Sequence, residues 1–148
     1  MGVKGMSNKT LKIITIIQIL DALALLGAKF IWAPVCSAML TLENGSTVHM
    51  KCYYTGQLVM VLGLILLFTA FMALLAGKDY IKFQLLIIIV SILLLLAPSS
   101  ALIGICEKAG MACHRTAAWA RGCGVVAILS ATCGLWKGSS QPQVGYYR

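Results

Sequence analysis

Leu85-Leu86-Ile87-Ile88-Ile89-Val90 and, past Ser91-Ile92, Leu93-Leu94-Leu95-Leu96 lie in an uncharged stretch that runs from Phe83 to Cys106. Wound as a helix, this run is apolar on every face and has no side to turn to water. A spanning helix needs about 20 such residues, and the stretch exceeds that. A second uncharged stretch, Cys52 to Gly77, does so too. Ile13 to Ala33 and Thr116 to Trp136 repeat the pattern with interruptions, Asp21 and Lys29 in one and Arg121 in the other. Composition points the same way: 60% of the 148 residues are hydrophobic, 11% are charged, and the mean hydropathy is +0.93. A soluble domain of this length leaves roughly 30% of its unfolded surface in water, too much for this chain to fill with polar groups. The same composition excludes disorder and collagen-like repeats.

The expected fold is therefore all-α and integral to a membrane. One domain over residues 1–136 carries four spans, about 12–34, 53–77, 82–105 and 115–136, in an up-down bundle; residues 137–148 form a loose polar tail. An even number of crossings puts both ends on one side. Lys4, Lys9, Lys12, Lys78, Lys82, Lys137 and Arg148 lie on that side, against Lys51, Lys108 and Arg115 on the other. The positive-inside rule then predicts a multi-pass protein of the cell membrane with cytoplasmic N- and C-termini. Trp32, Tyr53, Tyr54 and Trp119 fall towards the outer ends and Tyr80 and Trp136 towards the inner ends, as interfacial anchors do. The net charge of +8 is accounted for by these scattered topogenic residues, and no nucleic-acid partner is expected. Ala22-Leu23-Ala24 has the A-x-A form of a cleavage site, but Asp21 beside it and the short apolar run before it argue against signal cleavage, so the first span is expected to be retained.

Internal similarity divides the chain into two hairpins. Met50-Lys51-Cys52-Tyr53-Tyr54-Thr55-Gly56 opens the second span and Met111-Ala112-Cys113-His114-Arg115-Thr116-Ala117 opens the fourth. Each is preceded by a cysteine at the end of the previous span, Cys36 and Cys106. The first outer loop carries Asn44-Gly45 between short β-prone runs, which predicts a small β-hairpin. Ala33-Pro34-Val35-Cys36 with the first corner, and Leu102-Ile103-Gly104-Ile105-Cys106 with the second, resemble the signatures of a family of small bacterial four-span membrane proteins of unknown function. The resemblance covers about residues 10–136. It implies a four-helix membrane protein working beside a transporter, and it supplies no chemistry. In the family pattern the second corner has Pro between Met and Cys and a Leu-Pro-Ala run afterwards. Here Ala112 and Thr116-Ala117-Ala118-Trp119 stand instead, which puts the start of the fourth helix in question.

Two groups of residues are candidates for function. Cys36, Cys52, Cys106 and Cys113 share the outer side, where thiols oxidise in many cells. The repeat predicts Cys36–Cys52 and Cys106–Cys113 disulfides, although four cysteines allow three pairings. The alternatives are a quinone-linked thiol oxidoreductase, which usually carries the C-x-x-C spacing this chain lacks, and a Cu(I) site. Copper would draw on Cys36, Met50, Cys52, Cys106, Met111 and Cys113, soft ligands suited to that ion. Cys123 and Cys133 read as small apolar fillers in a span whose Ala118/Gly122, Ala120/Gly124 and Ala127/Ala131 spacing favours close helix approach.

The second group is intramembrane. At ~1.5 Å per residue, Lys29 lies ~10 Å below Cys36 and Arg121 ~12 Å below Cys113, in a layer shared with Ser99, Ser100 and, slightly above, Gln57. Asp21 lies deeper, near Ser91. These residues either snorkel to the surface or line a polar pocket or a partner contact, with Asp21 either protonated or bonded to Ser91 or Gln18. No catalytic set, phosphate loop or zinc motif occurs, and the only acids are Asp21, Glu43, Asp79 and Glu107. The expected function is a non-enzymatic accessory or scaffold subunit in the bilayer. It would act with a larger membrane protein such as a transporter, or as a homo-oligomer, without a cofactor; quinone or Cu(I) belongs to the alternatives.

Overall fold

Thr15, Gln18, Ala22, Leu25 and Ala28 recur at three- and four-residue spacing, and all five are buried. That spacing places the first four on one face of the first helix, α1 (Val3–Gly27), with Ala28 just beyond its end, and the face turns inward. The computed structural model describes residues 3–34, 39–75, 79–99, 102–104 and 112–139, with side chains from residue 9 onward and that of residue 32 excepted. α1 runs into a π-helical turn at Ala28–Trp32, closed by the Ala33 N–H donating to Ala28 O at 2.7 Å. A two-stranded hairpin follows, β1 (Met39–Thr41) and β2 (Thr47–His49), then α2 (Lys51–Leu75), α3 (Tyr80–Leu96) and α4 (Ala112–Ser139).

Each helix packs against its neighbours in sequence, and α4 returns to pack against α1, so the four close into a ring. Its centre is asymmetric. Leu25, Val59, Leu62, Leu66, Ile87, Val90 and Leu94 come from α1–α3, whereas α4 contributes Ala120, Ala127 and Ala131. The buried stripe of α4 holds no side chain larger than Cys or Thr, so the other helices can approach it closely. A Cβ at Gly124 would stand 3.0 Å from Leu95 Cδ2, and one at Gly134 2.9 Å from Tyr80 Oη.

The outside is apolar. Phe68 is 65% exposed, Ile31 74% and Trp136 79%, among many large hydrophobic side chains directed away from the core. Such a surface is compatible with lipid. The helix over Lys9–Ile31, from α1 into the π-helical turn, α2 and α4 are long and apolar enough to cross a membrane, and α3 is apolar but has 17 residues. At 1.5 Å per residue α3 covers about 25 Å. The third span is expected to run to residue 105, whereas α3 ends at Leu96: Ala97 still holds a helical conformation and donates to Leu93 O at 2.9 Å, and Pro98 then has no N–H to continue the ladder. The Ser99 hydroxyl closes the turn on Leu96 O at 2.6 Å. α4 starts at Ala112, a turn before the expected residue 115, and continues through Lys137 to Ser139. The rest of the tail lies outside the described residues.

The expected hairpin is present. Its strands pair Met39 with His49, Leu40 with Val48 and Thr41 with Thr47. Leu42 N–H donates to Ser46 O and Gly45 N–H to Leu42 O, both at 2.9 Å. Gly45 takes φ +76°, the left-handed residue that ends a three-residue hairpin loop. His49 packs on the Tyr53 ring at 4.3 Å between centroids, which ties the hairpin to the first turn of α2.

Candidate functional site

Asp21 follows Gln18 by three residues and precedes Leu25 by four, so it sits at the edge of the inward stripe of α1 rather than on lipid. The edge it occupies faces α4. There the Cys123 thiol hydrogen-bonds the carboxyl, while Asp21 Oδ2 is buried and has no hydrogen-bond partner among the described residues. Asp21 and Cys123 floor a groove of about 340 Å³ between α1 and α4, completed by Ala24, Ala118, Trp119, Gly122 and Val126. Ala118 and Gly122 are exposed small residues one turn apart, and a Cβ at Gly122 would meet nothing within 4 Å. The groove is therefore largely apolar and open to the outside of the bundle, and Asp21, whose Oδ2 is buried without a hydrogen bond, is one of the residues that line it. Neither Gln18 nor Ser91 bonds Asp21 as expected. Gln18 is taken by Gln84, and the Ser91 hydroxyl donates to Ile87 O at 2.7 Å.

The expected polar layer is divided. Lys29 turns to α2, where its ammonium lies 3.4 Å from Gln57 Oε1 and 3.2 Å from Met60 Sδ, with the Phe30 ring centroid at 5.7 Å. Arg121 is exposed on the outer face of α4, and no described contact joins it to Lys29. Ser99 bonds within its own turn. Ser100 lies outside the described residues. The structure thus brings Lys29 and Gln57 together and leaves Arg121 apart from them.

A polar cluster that sequence reasoning missed lies in the half of the bundle away from the β-hairpin. Gln18 and Gln84, both fully buried, exchange amide hydrogen bonds across α1 and α3 at 2.7 and 3.3 Å. Tyr80, expected as an interfacial anchor, instead points inward beside Thr15 and Gln84, against Gly134. The available signal was Gln84 itself, a lone amide in an apolar span, which needs a partner on another helix.

At the opposite end the two repeated corners make matching contacts. Thr55 Oγ1 donates to Gly104 O at 2.6 Å, with Lys51 O at 3.3 Å. Thr116 Oγ1 donates to Ala33 O at 2.6 Å, with Ala112 O at 3.4 Å. Cys52 and Cys113, one turn before these threonines, are buried. Cys36, Cys106 and Met111 lie outside the described residues, so both expected disulfides and half of the six alternative copper ligands cannot be placed. No disulfide joins cysteines within the described residues, and no three His, Cys, Asp or Glu side chains among them converge as a metal ion requires. Cys133 is exposed, while Cys123, read as filler, is the Asp21 partner.

No curated protein and no solved structure matches this chain. Residues 13–137, nearly the whole helical bundle, match the model of a family to which the chain therefore belongs, the domain of unknown function DUF4418.

Proposed function

We propose that the protein is a non-enzymatic accessory subunit that crosses the cell membrane four times, with both ends cytoplasmic, and docks a helix of a larger membrane protein in the α1/α4 groove. The observation that carries this reading is Asp21 Oδ2, buried at the base of an apolar, outward-opening groove without a hydrogen bond. An acid inside a bilayer is costly, by roughly 2.5–3.5 kcal/mol on insertion scales, and usually faces protein and a partner group. Within this chain the thiol of Cys123 meets only part of that need. The exposed small residues Ala118 and Gly122 let another helix backbone come close enough to complete it. The occupant must bring a donor. A helix carrying Ser, Thr, Asn or Gln, whose groups both donate and accept, fits the carboxyl in either protonation state. α3 with its following turn, the apolar exterior and the distribution of lysines support four crossings and the stated orientation.

Photo-crosslinking in native membranes tests the reading. A crosslinking side chain placed at Ala118 or Gly122 should capture one membrane protein that a probe at Phe68, on the exposed face of α2, does not. Asp21→Leu and Gly122→Leu should each reduce that capture at least tenfold, while Asp21→Asn, which can still bond a donor, should retain more of it. Capture unaffected by both leucine variants would overturn the proposal. Capture of a second copy of the chain would replace the larger partner with a homo-oligomer.

A further inference from the structure

We infer that the helix docked in the α1/α4 groove carries a carboxylate, from Asp or Glu, that forms an ion pair with Arg121. The inference rests on the docking reading above and adds the chemistry of the partner's contact face. It starts from a cation without a counter-charge. Arg121 is exposed on α4, nine residues past Ala112 and so about 13.5 Å along the helix axis. It makes no hydrogen bond or ion pair with a described residue. A guanidinium has five N–H donors and keeps its charge, and a charged residue inside a span normally has a partner.

The groove supplies the geometry. Successive residues of a helix stand about 100° apart, so Gly122 is flanked by Arg121 on one side and by Cys123 on the other. Cys123 faces α1, where its thiol meets Asp21. Arg121 therefore stands on the opposite flank, two residues and about 3 Å along the axis from the level of that contact. A helix laid over Ala118 and Gly122, the small exposed residues of the groove, lies with Asp21 on one side and Arg121 on the other, at nearly one depth. Flanking positions of this kind, e and g in paired helices, are where long charged side chains bridge to a neighbour.

The complement is not found within the described part of the chain. Of its four acids, Asp21 lies on the far flank, Glu43 is in the hairpin loop, and Asp79 is engaged by Lys82 at 2.7 Å; Glu107 lies outside the described residues. None of the three that are described reaches Arg121. Lys29 does not share the position, because its ammonium is turned to Gln57 and Met60 of α2. The partner face that fits both flanks therefore has a polar group turned to Asp21 and, within about one turn of it, an acid turned to Arg121.

The test uses the full chain in native membranes. A photo-crosslinking side chain at Val126 lines the groove and leaves Asp21, Gly122 and Arg121 in place. Mass spectrometry of the crosslinked peptide identifies the docked helix, which should carry Asp or Glu within about two turns of the crosslink. Arg121→Gln should reduce capture about fivefold or more and Arg121→Glu further, while Arg121→Lys, which keeps the charge, should retain at least about half. Combining Arg121→Glu with an acid-to-lysine substitution in the partner should restore capture, a recovery that a misfolded variant would not give. Equal capture by wild type, Arg121→Gln and Arg121→Glu, as expected of an arginine that only snorkels to lipid phosphates, would overturn the ion pair and leave the docking reading standing. A docked helix with no acid at that level would do the same. No capture from Val126 in wild type, or capture of a second copy alone, would remove the docking of a larger partner and the ion pair with it.

Discussion

Gln18 and Gln84 exchange two hydrogen bonds at full burial, and neither amide has water to fall back on. Interhelical hydrogen bonds of this kind contribute roughly 0.6–1.7 kcal/mol in membranes, and leaving one partner unsatisfied adds the cost of desolvating it, about 1–3 kcal/mol. Gln18→Leu or Gln84→Leu alone should therefore lower stability by about 1–3 kcal/mol, read as an earlier transition on SDS titration of the protein in mixed micelles. The double variant should be closer to wild type than either single one, because no unpaired amide remains. A double variant as unstable as the sum of the singles would show that the pair does not act as a unit. Asp21 differs from this pair in kind. Its unpaired oxygen is buried, but the residue lines a groove between α1 and α4 rather than the core, which is why it reads as a contact for something else.

Among the elements, α4 is set apart by the absence of large side chains from its buried face. Gly134 packs against Tyr80 Oη at 2.9 Å and Gln84 Oε1 at 3.3 Å, counted from the position of an added Cβ. Gly134→Ala would push directly into the polar cluster and should cost about 1–3 kcal/mol, as overpacking does. Gly122→Ala, on the same helix but over open space, should stay within about 0.5 kcal/mol of wild type. Thermal unfolding in one detergent, comparing the two variants, checks both. Equal effects would mean that helix propensity rather than packing decides them. The small-residue spacing of α4 was legible in its sequence, but which of its glycines are packed and which are open was not. Spacing repeats around the helix, and only the neighbours distinguish Gly134 from Gly122.

For the whole molecule, the ring of four helices sets two ends with different chemistry. The Thr55 and Thr116 anchors mark one end, and the Gln18–Gln84 cluster lies towards the other. Reporter fusions fix how these ends lie across the membrane. A reporter in the hairpin loop at Ser46 should be active outside, and reporters at Asp79 and after Arg148 should be active inside. An extracytoplasmic Asp79 would overturn the orientation and, with it, the assignment of the cysteine end to the oxidising side.

Hydrophobic run length and its breaks were enough to predict a helical, membrane-compatible chain, because burying apolar surface is additive along a sequence and needs no knowledge of neighbours. The Asn44-Gly45 hairpin was legible for a similar reason: the turn chemistry is local, and Gly45 satisfies it alone. Which charged or polar residues meet was decided by the tertiary structure. Lys29 and Arg121 share a depth in the sequence arithmetic yet belong to different surfaces, one turned to Gln57 and the other outward. Asp21 meets Cys123, and Gln18 meets Gln84, only because α1 lies between α2 and α4 and reaches α3 across the ring. Depth along a helix follows from counting residues, but azimuth relative to other helices does not, and it is azimuth that makes a groove, a buried pair or a cross-hairpin anchor.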